Sequence, residues 1–205
     1  MVREILVVER KKLFEKKSFE GFFLADTKDF FKIIMDNYEY KGRSNELEHD
    51  KKWKQVVSYV WIVNGKEKKV FAYKRAPDQK YQEARLRNKW SCGIGGHIDK
   101  EDGENPIEDA MMRELREEVS MKEYKMPRIV GFVTDDVHDV ESVHLGVVGL
   151  LDTDQEVEKG NDEMTHGEFY YIEELEKIFA DENNEVELFT KYSWPFVKNY
   201  LLNLK

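Results

Sequence analysis

The sequence predicts an α/β fold. Three observations carry this reading: strand-like and helix-like segments alternate along the chain, Asn64-Gly65 sits between two apolar runs, and residues 105–119 pattern as a helix with separate apolar and acidic stripes. At 205 residues, the chain is long enough for one sizeable domain plus an extension. Its 40% hydrophobic and 13% aromatic content supplies a core.

Taken in order, residues 4–8 read as a strand, 19–24 as a second, and about 27–38 as an amphipathic helix that Asp26 can cap. This part holds Ile5, Leu6, Val7, Val8, Phe22, Phe23, Phe30, Phe31, Ile33 and Ile34, too many apolar side chains to leave in water. It is expected to pack on the core or on a second copy, and a homodimer is a natural way to cover it. Residues 42–50 are polar and read as a linker. From Gln55 the pattern is a hairpin, 56–63 and 69–73 about an Asn64-Gly65 turn, since Asn-Gly between apolar runs is the strongest short-range hairpin signal. Beyond the acidic helix come strands near 128–134 and 143–151, a polar loop, a short strand at 169–172, and helices near 173–179 and 187–202.

The central helix carries the chemistry. Asn105 is placed to cap it, Pro106 suits its first position, and Glu108 completes a capping-box spacing. Ile107, Met111, Leu115 and Val119 form the stripe that docks on a core. Glu114, Glu117 and Glu118 stand at i, i+3 and i+4, within an arc of about 100°. Like charges so placed repel one another and weaken the helix unless a cation sits against them, and a divalent metal ion is the simplest candidate. A solvated acidic face is the plain alternative, favoured for an isolated cluster. The glycine turn Gly95-Gly96 just upstream and the well-specified helix start tip the balance to a site.

At Gly95-Gly96-His97-Ile98 and Arg113-Glu114-Leu115-Arg116-Glu117-Glu118 the chain resembles the Nudix hydrolase superfamily, whose box reads G-x5-E-x7-R-E-U-x-E-E-x-G-U, with U aliphatic. The second half matches without a gap through Val119. With Gly96 and Glu104 as the first half, there are two extra residues before Glu104 and one extra between Glu104 and Arg113. Ser120 stands where the box has a helix-ending glycine. By motif the resemblance covers residues 95–121, and by order of elements roughly 55–202. It implies an α/β/α sandwich around a mixed sheet, with residues 1–50 as an N-terminal α+β extension and 51–205 as the catalytic domain. It further implies hydrolysis of a diphosphate bond in a nucleoside diphosphate linked to another group, with Mg²⁺ or Mn²⁺ as cofactor. Glu114, Glu117 and Glu118 would hold the metal, the Gly95 carbonyl would add a ligand, and Arg113 paired with Glu104 would orient the glutamates. A further carboxylate is expected from the loop before a late strand. Glu168 is the first candidate, as metal ligand or base, and Glu163 the second.

The net charge of -9 argues against a nucleic-acid polymer or an anionic membrane as partner, because phosphate-backbone affinity comes from clustered Lys and Arg. One Cys excludes an internal disulfide framework, and with no secretory h-region and no apolar run long enough to span a bilayer, the cytoplasm is expected. Lys74, Arg75, Arg85 and Arg87 precede the glycine turn and could meet phosphates, though each taken singly is more often a surface charge. His97 and His144 read first as hydrogen-bonded core or rim residues, and Trp61, Trp90 and Phe132 first as core rather than base-stacking groups. Two other functions stay open: a non-catalytic nucleotide-binding regulator with this fold, and an isomerase of prenyl diphosphates using Cys92.

Overall fold

In a computed structural model, residues 2–15, 18–25, 30–78 and 83–204 are described. The central strand β4, Trp53–Asn64, explains the architecture. Its side chains alternate between two apolar clusters, Val56, Val60 and Ile62 on one face, Tyr59, Trp61 and Val63 on the other. A strand apolar on both faces needs a layer on each. On the first face lie α2, Phe30–Asn37, and α3, Pro106–Glu118, with Ile107, Met111 and Leu115 in the cluster as their spacing predicts. The second face is covered by α4, Ile172–Ala180, and α5, Leu188–Asn203, through Ile172, Leu175, Val197 and Leu201. The result is the expected α/β/α sandwich.

The sheet is mixed. β4 pairs in parallel with β10, His144–Asp152, and antiparallel with β5, Lys69–Arg75. Beyond β10 come β9, Arg128–Thr134, and the edge strand β2, Gly21–Leu24; beyond β5 comes β12, Met164–Tyr171. The N-terminal strand β1, Glu4–Glu9, joins the same sheet between β4 and β3, Tyr38–Gly42, while the four-residue helix α1, Arg10–Leu13, follows it. Short strands β6, Trp90–Ser91, and β7, Gly93–Ile94, run against β5 and β4, and β8, Val119–Ser120, pairs with β11, Glu158–Lys159. Phe30 and Ile34 are buried in the main cluster, with the Phe30 ring 5.7 Å from Phe132. Much of the apolar content of the N-terminal segment is therefore covered within one chain.

Local departures have local causes. β3 begins where the sequence reads as helix end and finishes where it reads as linker, because residues 38–42 gain a partner in β1 that no local pattern announces. Asp26 and residues 27–29 of the expected helix lie outside the described residues. The hairpin is real but its loop is four residues long, with Val63 opposite Val70 and Asn64 opposite Lys69; Lys68, not Gly65, takes the left-handed conformation (φ 55°). The Asn105 side chain does not cap α3. Its backbone N–H instead donates to the Asp109 carboxylate (3.2 Å).

Candidate active site

α3 leaves its last turn directly into β8, with Val119 already extended (φ -133°, ψ 155°). Such an exit needs no left-handed residue, so Ser120 stands in place of the box glycine without backbone strain. The helix is held at its acidic end by Arg113. Its Nε donates to Asp102 Oδ1 (2.5 Å) and its Nη2 to Asp102 Oδ2 (2.9 Å) and the His97 carbonyl (2.9 Å). Nη1 reaches Glu114 Oε1 (2.6 Å) and Glu117 Oε2 (3.2 Å). Burial works against this guanidinium's charge, but the bonds to Asp102 and Glu114 outweigh it and hold its pKa above the usual value. The expected partner of Arg113, Glu104, is exposed and takes no part; Asp102 has its place. The reason lies in the loop, where a short helical turn over Lys100–Asp102, closed by a reciprocal capping box with Asp99, turns Asp102 inward. The sequence carried a signal for this: Gly96 and Asp102 are separated by five residues, the box's own spacing, so the whole insertion falls after the acid.

Glu114, Glu117 and Glu118 line one cavity of about 290 Å³ with Gly95, Gly96 and Glu163. Glu117 is the exposed member, whereas Glu114 and Glu118 are buried. Burial pushes the Glu114 carboxyl up against the opposing pull of Arg113. Glu118 is pushed up further, first by burial and then by Glu114 and Glu163, with Arg75 opposing. Among the described residues, Glu118 Oε2 is buried without a hydrogen-bond partner. Among the described residues no three such groups converge into a preformed metal cage. The donor set nonetheless fits a hard divalent cation: oxygen ligands only, one of them orphaned, in a place where carboxylate charge is short of compensation. Glu114, Glu117 and Glu118 are the residues able to hold one.

The glycine turn is there for close approach. A Cβ on Gly95 would lie 2.1 Å from the Ser58 carbonyl oxygen, and one on Gly96 2.6 Å from Glu114 Oε1. Beside it, His97 Nε2 contacts Gln55 Oε1 (2.7 Å) and His144 Nε2 (3.2 Å), while His144 Nδ1 meets the Val140 carbonyl (2.5 Å). His144 therefore donates from Nδ1 and accepts at Nε2, which makes His97 Nε2 a donor. Burial keeps both rings neutral.

Glu168 does not reach this cavity. It stands opposite Ala72 in the β12–β5 ladder, and Ala72 belongs to the cluster under α4 and α5, so its carboxylate is on the face of the sheet away from α3. There it is exposed and pairs with His166 Nε2 (2.9 Å). Glu163, in the preceding loop, does line the cavity. Of the basic residues before the glycine turn, Arg75 lines it too, buried against Glu187, and Arg85 is engaged by Glu83. Cys92 is buried in the α4–α5 cluster with its thiol pKa pushed up by burial, and Trp61 and Phe132 are core.

The NUDIX domain model matches residues 53–192. Protein YmaB of Bacillus subtilis (strain 168) is 30% identical over 199 residues, 92% of this chain and 94% of its own. The crystal structure of Tm1382, a candidate Nudix hydrolase, superposes with a TM-score of 0.76 at 28% identity, covering 96% of this chain and 99% of that one. The fold recurs in a bifunctional NMN adenylyltransferase/ADP ribose pyrophosphatase from Francisella tularensis, with a TM-score of 0.54 at 12% identity over 86% of this chain and 50% of that one. With an acidic helix, a glycine turn and a mixed sheet arranged as that family arranges them, and with the match spanning most of its length, this chain belongs to the Nudix family.

Proposed function

We propose that the protein is a metal-dependent hydrolase that cleaves a diphosphate bond in a nucleoside diphosphate linked to another group, or in a related small-molecule diphosphate. The observation that supports this most directly is the orphaned Glu118 oxygen beside Glu114 in a cavity open to a small ligand. Mg²⁺ or Mn²⁺ bound by Glu114, Glu117, Glu118 and the Gly95 carbonyl would supply charge neutralisation and an activated water for in-line attack on phosphorus. The F. tularensis enzyme, which shares the fold at 12% identity, was crystallised with AMP and a Mn ion.

The chain's own groups then have distinct work. Arg113, fixed by Asp102, orients Glu114 and Glu117. Glu163 lines the same cavity as Glu118, which supports it as the group that would take a proton from the attacking water. A binding-only regulator has no need for all three carboxylates, and an isomerase acting through Cys92 would need that thiol in the cavity. Residues 51–205 are read as the catalytic domain and 1–50 as its extension, in a cytoplasmic protein. A homodimer is part of this reading and is tested by light scattering. Among the described residues no helix is long and apolar enough to cross a membrane.

The test is a chromatographic screen for cleavage products over nucleoside diphosphate sugars, dinucleoside polyphosphates, NADH, ADP-ribose, CoA and nucleoside triphosphates, with Mg²⁺ or Mn²⁺. Metal-dependent conversion of at least one class into the two products of diphosphate-bond hydrolysis is expected, and no conversion of any would overturn the proposal.

A further inference from the structure

Two arginines reach the cavity from the N-terminal strands. β1 and β3 run antiparallel with Glu4 opposite Gly42, and the Arg43 N–H donates to the Arg3 carbonyl (2.8 Å), so both side chains leave the same end of one ladder. Both line the cavity. They are tethered alike: Arg3 Nε donates to Asp99 Oδ1 (2.6 Å) and Arg43 Nε to Glu48 Oε1 (2.9 Å). Among the described residues, neither uses its two Nη groups in a hydrogen bond.

Arg113 is the contrast, since its Nε, Nη1 and Nη2 are all engaged by the protein. A guanidinium fixed through Nε holds its Nη edge in a set direction, and that planar edge is the one that takes phosphate in paired hydrogen bonds. Both charges also act on groups of the site. Arg43 and Arg3 are felt by His97, after burial and His144, and Arg3 is felt by Glu114. The cavity thus offers carboxylates on α3 and, from the N-terminal ladder, two half-used forks.

We propose that Arg3 and Arg43 form an anion subsite that binds the phosphate of the substrate not attacked at the α3 carboxylates. That the bound phosphate belongs to a substrate rests on the diphosphohydrolase reading; the subsite rests on the arginines alone. It makes the N-terminal segment part of the binding site, although the segment lies outside the matched domain, which begins at residue 53.

Imidodiphosphate, whose bridging nitrogen resists hydrolysis, is the probe, titrated by calorimetry into the full-length chain with Mg²⁺. Arg3→Met and Arg43→Met are each expected to weaken binding roughly ten-fold, the scale of a lost charge-assisted hydrogen bond. Lys at either position, which keeps the charge but not the fork, should recover only part of the affinity. Asp99 keeps a second cation in Arg113 and Glu48 in Arg85, each at 3.7 Å, so these variants are expected to fold, which melting temperature checks. Wild-type affinity in the folded Met or Lys variants would overturn the assignment, and so would absence of binding to the wild type. Arginine-dependent binding in a chain that hydrolyses nothing keeps the subsite and ends the hydrolase reading. Hydrolysis with arginine-independent binding does the reverse.

Discussion

The loop between β9 and β10 is shared by two groups of buried charge with opposite character. On one side Lys54, fully buried, donates to Thr134 Oγ1 (2.8 Å) and to the carbonyls of Asp135 (3.2 Å) and Glu141 (3.1 Å), and pairs with Asp136 (3.1 Å). Arg10 closes on Asp136 as well, and Asp135 accepts from Tyr192 (2.6 Å) and from the N–H groups of Val137 and His138 (2.7 Å each). On the other side, Glu114 and Glu118 share a cavity with Glu163, and among the described residues Glu118 Oε2 has no hydrogen-bond partner. Burial alone would raise Asp135, yet its hydrogen bonds hold it well below the carboxylate range, while Glu118 is pushed up. The two carboxyls differ both in how far burial strips them of solvent and in how completely the chain hydrogen-bonds them. Charge satisfied by the chain holds a shape, here the wall carrying Val140 and His144, and charge left short of a partner keeps a place for something that arrives.

The largest expected effect breaks the open group. Glu118→Gln should lower turnover of the best substrate by roughly 10³-fold, since a bound metal supplies several kcal/mol of transition-state stabilisation. Its melting temperature without metal should not fall; wild-type turnover would remove Glu118 from the site. Lys54→Met breaks the closed group and should do the opposite. A stability loss of about 3 kcal/mol in urea unfolding is expected, because Thr134 and two carbonyls lose their donor. A loss below about 1 kcal/mol would mean that the wall is held by other contacts.

Glu163→Gln sharpens the comparison within the cavity, with kcat expected to fall on the order of 10²-fold, as for a lost general base. Glu168→Gln, on the far face, should leave kcat within about two-fold. Equal effects would disprove the assignment of the base to Glu163. The smallest effect is on pH. Glu114 and Glu118 have folded pKa values above their unfolded ones, so the folded state holds these protons more tightly. Their contribution to stability is present at low pH and is lost as pH rises from about 4.3, the unfolded value, through the raised folded values. Urea unfolding of the metal-free protein should show this decline, Glu118→Gln should flatten it, and Mg²⁺ should offset it near neutral pH. A decline that neither changes would place its origin elsewhere.

Much of the site was readable because helix periodicity is local. Residues 114, 117 and 118 share a face in any helix, and Ile107, Met111 and Leu115 mark the docking stripe beside it, so α3 needed no tertiary information. Asp102 was readable only by counting from Gly96, because residues 97–105 follow no period and Glu104 matched the box by residue type. The face of Glu168 was hidden for a related reason. One residue of register inverts a strand, and β12 begins at Met164 with a shift between Met164 and His166 that no local pattern marks.

By itself, the sequence determined the acidic helix, the apolar β4, the strands at 128–134 and near 143–151, and the two helices that follow them. These depend on side-chain period and backbone preference within a few residues. The tertiary structure decided what the carboxylates meet. It turned Asp102 rather than Glu104 onto Arg113, left Glu118 short of a partner, sent Glu168 to the other face, and brought Arg3 and Arg43, from the β1–β3 ladder, into one cavity with α3. Each of these outcomes depends on how loops close and how strands register, and those are set by packing between segments far apart in the chain, where no local pattern records them.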